Sequence, residues 1–380
     1  MKVIIAPQAF KGALSGAQAA RAIEEGLLRV FPQAETVLVP VADGGDGTLE
    51  TLVEDAGGQV FTTQVTGPLS EPVPARWGIM DDGKTAVIEM AQASGLVLVP
   101  LDRRDPRNTT TLGTGQLIKE ALDRGYKRII VGLGGSATND GGAGMAQSLG
   151  ARLLDAKGRD LPPGGAALTH LASIDISGLH PALKESEVIV ATDVINPLCG
   201  PQGASVVYGP QKGASLRVIE ELDKALDHYA MIIEKHLGLE VATRSGAGAG
   251  GGLGAGLMAF AGGQVRSGID IVCDVQDFDR LLSGAHLVIA GEGRVDTSTV
   301  YNKAPIGVAR RAKAHGIPVI ALAGTLGRGY EEVYEHGINA VVCIVDRPMP
   351  IRDSIRRTYE LLVGATERSL RLARLGLPED

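Results

Sequence analysis

Several stretches of this 380-residue chain set charged side chains directly beyond apolar runs. APQAFKG carries Lys11, VPVADGGDGT carries Asp43 and Asp46, VATDVINP carries Asp193 and Asn196, and VIAGEGRVDTST carries Glu292, Arg294 and Asp296. YGPQKGAS adds Lys212 ahead of a long helical pattern, and VYNKAP adds Lys303. In an open α/β sheet, ligands gather beyond the carboxyl ends of the strands, which is where such residues would stand. Carboxylates alternating with cations around glycine turns suit phosphoryl transfer: the acids hold Mg²⁺ or accept a hydroxyl proton, and the cations balance phosphate charge. Hydrolysis would more naturally use a nucleophile with a histidine, and none of the seven histidines lies in such a motif. Taken singly, each acid reads as readily as a helix cap or a solvated loop.

Three glycine-rich stretches compete for a nucleotide. GIMDDGKT (78–85) matches the P-loop expression letter for letter. That loop works only when a helix follows to present its amides to phosphate, and TAVIEMA behind it reads as a strand. Asp81, Asp82 and Gly83 then form a hairpin turn. GLGGSA (132–137) follows the strand RIIV and fits GxGxxA, with Asp155 ending the next apolar run, which is a fair dinucleotide fingerprint. Against it, TNDGGAG puts glycines where the crossover helix should already run, at a cost of up to about 1 kcal/mol each. A broad anion-binding loop fits better, with Gly134, Gly135 and Ser136 approaching phosphate and Thr138, Asn139 and Asp140 adding polar contacts. A tight turn needing positive φ is the plain alternative. SGAGAGGGLGAGL (245–257) reads equally as ligand approach or as close backbone packing.

The elements behind these loops follow from periodicity. KVIIA (2–6) is a strand, and Ser15 with Gln18 three positions on is a capping box that opens a helix to about Val30. TVLVPVA is the next strand. HLVIA (286–290), PVIALA (318–323) and AVVCIV (340–345) are strands separated by helical patterns near 303–315 and 329–336. This βα repetition implies a mostly parallel sheet. From about residue 60, VFTTQVTG, VPARWGIM and TAVIEMA read as extended segments of a mixed or antiparallel region. RIIVGLGG, ARLLD and EVIVATDV restore the βα pattern, and Leu216, Ile219, Leu222, Leu226, Tyr229, Ile233 and Leu237 mark one face of a long helix. The pattern predicts two α/β domains: a discontinuous terminal parallel-sheet domain, 1–66 and 284–380, and an inserted mixed domain, 67–283.

Composition bounds the function. With 44% hydrophobic and 21% charged residues the bulk of the chain must fold, into roughly two domains. Glycine, at 52 residues, is about twice its usual share, yet it has no GXY period and prolines number 19, so a collagen-like chain is excluded. Aromatics are only 3%, so the core is built from Val, Ile, Leu and Ala, a composition that suits parallel sheets under helices. Lys plus Arg at 37 against Asp plus Glu at 44 gives −7 without a basic patch, and no nucleic acid partner is expected. No signal peptide and no run of 18 apolar residues is visible, so the expectation is a cytoplasmic protein without membrane contact. Cys199, Cys273 and Cys343 lack the spacing for disulfides or zinc and read as buried free thiols. A homodimer is left open.

VPVADGGDGT, GLGGSATNDGGAGM, ATDVINPLCG, GPQKGA and AGEGRVDTST, taken in order, resemble the glycerate kinase family, and the resemblance runs from IIAPQAFKG to the final helix. It implies transfer of the ATP γ-phosphoryl group to D-glycerate with Mg²⁺, giving 2-phosphoglycerate rather than 3-phosphoglycerate. It also implies a discontinuous terminal α/β domain with a flavodoxin-like inserted domain. The family's usual APDSFKG is APQAFKG here, so Gln8 and Ala9 replace its acid and hydroxyl, and the acid of ADGGEGT is Asp46. No role resting on that first acid or serine carries over. Asp193, Lys11 and Asp296 are the catalytic candidates. Asp193 is preferred as base because it leaves a fully apolar strand, where partial desolvation raises a carboxylate pKa. Arg294, Lys212 and Asn196 are the substrate-binding candidates, with Arg294 suited to a two-pronged grip on a carboxylate. Gly134, Gly135, Ser136, Thr138, Asn139 and Asp140 form the nucleotide cradle, and Asp43 and Asp296 are the metal candidates. The rivals are an NAD(P)-dependent dehydrogenase using GLGGSA with Asp155, and a non-catalytic sugar-acid sensor.

Overall fold

The computed structural model describes residues 1–45, 47–300 and 303–375, so Asp46 lies outside the described residues. Its strands are β1 (Lys2–Pro7), β2 (Glu35–Leu38), β3 (Gln59–Thr66), β4 (Pro72–Ile79), β5 (Thr85–Glu89), β6 (Arg128–Gly132), β7 (Arg152–Leu154), β8 (Ser173–Asp175), β9 (Glu187–Ala191), β10 (Gln264–Arg266), β11 (Leu287–Glu292), β12 (Val319–Ala323) and β13 (Ala340–Cys343). The chain divides into two compact units, one made of Met1–Asp43 with the chain from Ser267 onward, the other of Gly44–Arg266.

The discontinuous unit is built on a wholly parallel sheet in the order β13-β12-β11-β1-β2. Val3, Ile4, Ile5 and Ala6 are all fully buried, as befits a strand covered on both faces. The helix Gly16–Leu28 opens at the expected capping box, Gln18 N–H donating to Ser15 Oγ and Ser15 N–H to Gln18 Oε1. Its Ala19, Ile23 and Leu27 join Val3 and Ile5 of β1 and Leu362 of helix Thr358–Arg374 in one core. The helices touch backbone to backbone at Gly26, where a Cβ would lie 2.4 Å from the Val363 carbonyl oxygen. From β1 the chain turns toward β2 on one side, and from β11 toward β12 and β13 on the other. The strand order therefore reverses between β1 and β11, the place where an α/β sheet opens a crevice at its carboxyl edge.

The second unit carries a mixed sheet in the order β10-β9-β6-β5-β4-β3. β3, β4 and β5 form an antiparallel meander, and β5, β6, β9 and β10 run parallel in sequential order. Trp77 is fully buried, and its indole Nε1–H finds Thr63 Oγ1 at 3.0 Å, as a buried indole requires. Helix Leu216–Leu237 buries Ile219, Leu222, Leu226, Tyr229 and Ile233 on one face, while Leu216 itself is exposed.

Several expectations need correction. The division falls at 43/44 rather than 66/67, because β3 pairs along its whole length with β4. At the other end it falls at 266/267 rather than 283/284, because helices Gly268–Val275 and Phe278–Leu282 are fastened to helix Ala304–Ala314 by ion pairs. Arg311 meets Asp279 at 2.5 Å, Asp274 at 2.7 Å and Asp270 at 3.3 Å, and Arg310 also meets Asp270. ARLLD forms no strand of the main sheet; β7 pairs antiparallel with β8 alone. Of the thiols only Cys273 is buried, Cys199 and Cys343 being half-buried, and all three are free. No helix among the described residues is long and apolar enough to cross a membrane.

The Arg311 side chain is only 15% exposed, so cutting it back leaves three neighbouring aspartates without their shared counter-charge. Discounted for the exposure of those aspartates, Arg311→Ala should lower the free energy of urea unfolding by about 2 kcal/mol. A change within about 0.5 kcal/mol of zero would mean that apolar contacts alone hold these helices.

Candidate active site

At the carboxyl edge of the sheet of the discontinuous unit, Glu292 is the last residue of the central strand β11. It is 5% exposed, and Thr299 Oγ1 donates to its Oε1 at 2.8 Å. Thr299 Oγ1 in turn accepts the Asp296 N–H, which leaves its own hydrogen directed at Glu292. Burial pushes the Glu292 carboxyl up to about 7; Lys303 and the Thr299 hydrogen bond pull the other way, while Asp43 and Asp296 add to the rise. Asp296 behaves oppositely. Its Oδ1 accepts from Ser298 N–H at 2.9 Å and from Ser298 Oγ at 2.5 Å, and its Oδ2 meets Arg294 Nε at 2.8 Å. The Ser298 hydroxyl holds it below the ordinary aspartate range despite some burial. Lys303, at the start of helix Ala304–Ala314, donates to Ser298 Oγ at 2.7 Å. Arg294 keeps 65% of its side chain exposed, and Lys11 is exposed on the turn after β1. Gln8 is buried, and its N–H donates to the Gly291 carbonyl.

In the other unit the glycines of GLGGSA serve backbone packing first. A Cβ on Gly132 would lie 2.6 Å from the Gly44 carbonyl oxygen, and one on Gly134 would lie 2.5 Å from Gly45 Cα. Gly44 and Gly45 thus cross the end of β6 with no room for side chains on Gly132 or Gly134. Gly135 is exposed, at φ 71°, with its carbonyl accepting from Leu96 N–H. Thr138, Asn139 and Asp140 are fully buried and brace the loop from inside. Asp140 accepts from Thr111 N–H, Thr111 Oγ1, Gly142 N–H and Gly144 N–H, and Asn139 Nδ2 donates to Ser205 Oγ. The accessible surface of the proposed cradle is therefore Gly134 and Gly135.

Lys212 is also inside, 1% exposed, and Nζ donates to the Thr138 carbonyl at 2.6 Å. It lies where the two glycine-rich loops are tied, Gly141 N–H donating to Gly251 O and Thr138 Oγ1 to Gly250 O. Burial pushes the Lys212 ammonium down to about 7, with Asp140 opposing. In this geometry Lys212 acts as a clamp beneath the loops. Asn196 likewise spends its amide on its own surroundings, Nδ2 on Gln202 O and Oδ1 on Tyr208 OH. Asp193 stands half-buried just beyond β9.

Two motifs have other roles in their surroundings. GIMDDGKT is the β4–β5 hairpin, its turn closed by Asp82 accepting from Lys84 N–H, Thr85 N–H and Thr85 Oγ1. Asp155 follows β7 in the two-stranded sheet, where the backbone N–H and guanidinium of Arg159 hold it down at about 2. The neighbours of β6 are β5 and β9, so Asp155 does not end the adjacent strand, as ribose recognition would need. Among the described residues no three His, Cys, Asp or Glu side chains are arranged to hold a metal ion, and both Asp296 oxygens are already engaged. These residues do not fit a resident metal cage, whereas a cation arriving on nucleotide phosphates would not require one.

Because Lys212 titrates near 7 in the fold and near 10.4 when unfolded, the unfolded chain binds the extra proton between those values, and stability rises with pH across that window. Lys212→Met removes the effect. The stability of the unsubstituted protein relative to the variant should therefore increase by about 2 kcal/mol between pH 7 and 9 in urea titrations. A difference independent of pH would show that Lys212 is solvated.

The profile of the glycerate kinase family matches residues 3–374. The chain is 52% identical over 362 residues to a glycerate kinase of Bacillus subtilis strain 168, covering 95% of each. It is 49% identical over 377 residues to a glycerate 2-kinase of Escherichia coli K12, covering 99% of each. A crystal structure described as a glycerate kinase 2 from Salmonella typhimurium LT2 superposes with a TM-score of 0.87 at 47% identity, over 99% of both chains. With that agreement over nearly its full length, and the acidic and basic strand ends that phosphoryl transfer calls for, the chain belongs to the glycerate kinase family.

Proposed function

We propose that this protein is a cytoplasmic kinase that transfers the γ-phosphoryl group of ATP, entering with Mg²⁺, to the 2-hydroxyl of D-glycerate. The observation that carries this reading is 49% identity over 99% of its length to a protein named glycerate 2-kinase. The chemistry at the strand ends supports it. Arg294, exposed beyond its pair with Asp296, offers the planar fork that suits a carboxylate, and Lys11 offers a second cation. The backbone at Gly134 and Gly135 is the accessible part of the loop suited to phosphate. Positioning and charge compensation are most of what a protein contributes to phosphoryl transfer, and cations and exposed backbone amides are the groups suited to them.

A coupled assay should record ADP release that depends on D-glycerate, and phosphorus NMR of the product should give the 2-phosphoglycerate signal. A 3-phosphoglycerate signal would overturn the choice of hydroxyl, and ligand-dependent melting without turnover would favour a sensor. Because Lys84 belongs to a hairpin, Lys84→Ala should keep kcat within a few-fold; a loss on the order of 10³-fold would restore GIMDDGKT as a phosphate loop.

A further inference from the structure

We propose that Glu292 is a catalytic residue that accepts the proton of the acceptor hydroxyl during phosphoryl transfer, with Thr299 as its positioning residue. The proposal rests on the kinase reading above and assigns the proton to an acid other than Asp193. Its first support is topological. Glu292 ends β11 beside the reversal of strand order, the part of a parallel sheet whose carboxyl edge is open to a ligand. The parallel strands of the other unit follow in sequential order, so Asp193, beyond β9, stands at no such reversal. The second support is the side chain's fixation. Glu292 extends from the strand itself, whereas Asp296 lies in the following loop with both oxygens held by Ser298 and Arg294. Thr299, bridging the Asp296 N–H and Glu292, locks the carboxylate in one orientation.

The third support is the local balance of charge. Lys303 at the helix start favours the carboxylate form, while Asp43 and Asp296 oppose it. Lys11 lies on the turn whose backbone approaches Gly293, and Arg294 is held by Asp296. Gln8, one register step past the Pro7–Gly291 pair, is neutral. Burial leaves the group titrating at about 7, close to the value at which a general base works best at neutral pH. In the step itself the hydroxyl O–H bond breaks and its proton goes to Glu292. The oxygen forms the new O–P bond as the bond from γ-phosphorus to the ADP oxygen breaks, and Glu292 later yields its proton to water.

The test compares pH profiles of kcat for the full chain with Mg·ATP and D-glycerate. The unsubstituted protein should lose rate below about pH 7, and Glu292→Gln should lower kcat by about 10² to 10⁴ and abolish that acid limb while melting normally. Gln8→Asp, which places a second carboxylate beside the first, should move the limb to higher pH, and Asp193→Asn should leave its position unchanged. A Glu292→Gln enzyme that keeps kcat within ten-fold, or that keeps the same acid limb, overturns the proposal while leaving the kinase reading intact. An unmoved limb in Gln8→Asp also counts against it. Absence of glycerate-dependent ADP release in the unsubstituted protein would remove both.

Discussion

The pairing of β1 with β11 is the constraint on which the rest of the discontinuous unit depends. It joins residues near the N-terminus to residues 284 positions later, in register from Val3 with Leu287 to Pro7 with Gly291. Closing so long a loop is entropically costly only as the logarithm of its length, so a few apolar residues on each strand suffice to repay it. Once made, the pairing places the ends of two buried strands side by side and forces the chain to leave them in opposite directions. The carboxyl edge between them receives Gln8 from one strand and Glu292 from the other. Lys2 reinforces the join, its Nζ donating to the last carbonyls around Leu281 and Ser283.

In the second unit the governing physics is backbone crowding. Glycines that a sequence motif would assign to phosphate are first required by the packing of Gly44 and Gly45 against Gly132 and Gly134. The polar residues that follow turn inward, and Asp140 becomes the acceptor for four donors around a helix start. Burying that carboxylate is tolerable because its oxygens are satisfied and Lys212 lies within its field. The rigidity so obtained lets Gly135 hold a fixed left-handed backbone at the surface.

Local order was legible in the sequence. The capping box at Ser15, the strands β1, β9, β11 and β12, the meander from residue 60 and most of the buried face of helix Leu216–Leu237 appear where local pattern puts them, because each is set by neighbours in sequence. What escaped depends on partners distant in sequence. No local pattern joins Arg311 to Asp270, Asp274 and Asp279, so the sequence alone does not show that helices Gly268–Val275 and Phe278–Leu282 belong with the terminal segments. Lys212 and Asn196 carry suitable groups at suitable loops, but nothing in their spacing discloses that those groups are spent internally. Glu292 stands among the strand-end acids of the sequence, where the apolar run before Asp193 makes that residue the more conspicuous. The distinguishing signal of Glu292 is present: it follows LVIAG without a break and is therefore part of the strand.

The chemistry at this strand edge depends on Glu292 being the desolvated acid that its place at the end of β11 makes it. Carbon-13 NMR of protein labelled at the glutamate carboxyl, with the resonance assigned by its loss in a Glu292→Gln sample, measures this without reference to turnover. A carboxyl titrating near pH 7 is the predicted result. Titration near the ordinary glutamate value of about 4.3 would contradict it, because a carboxylate so well solvated could not be the buried group at the strand-order reversal.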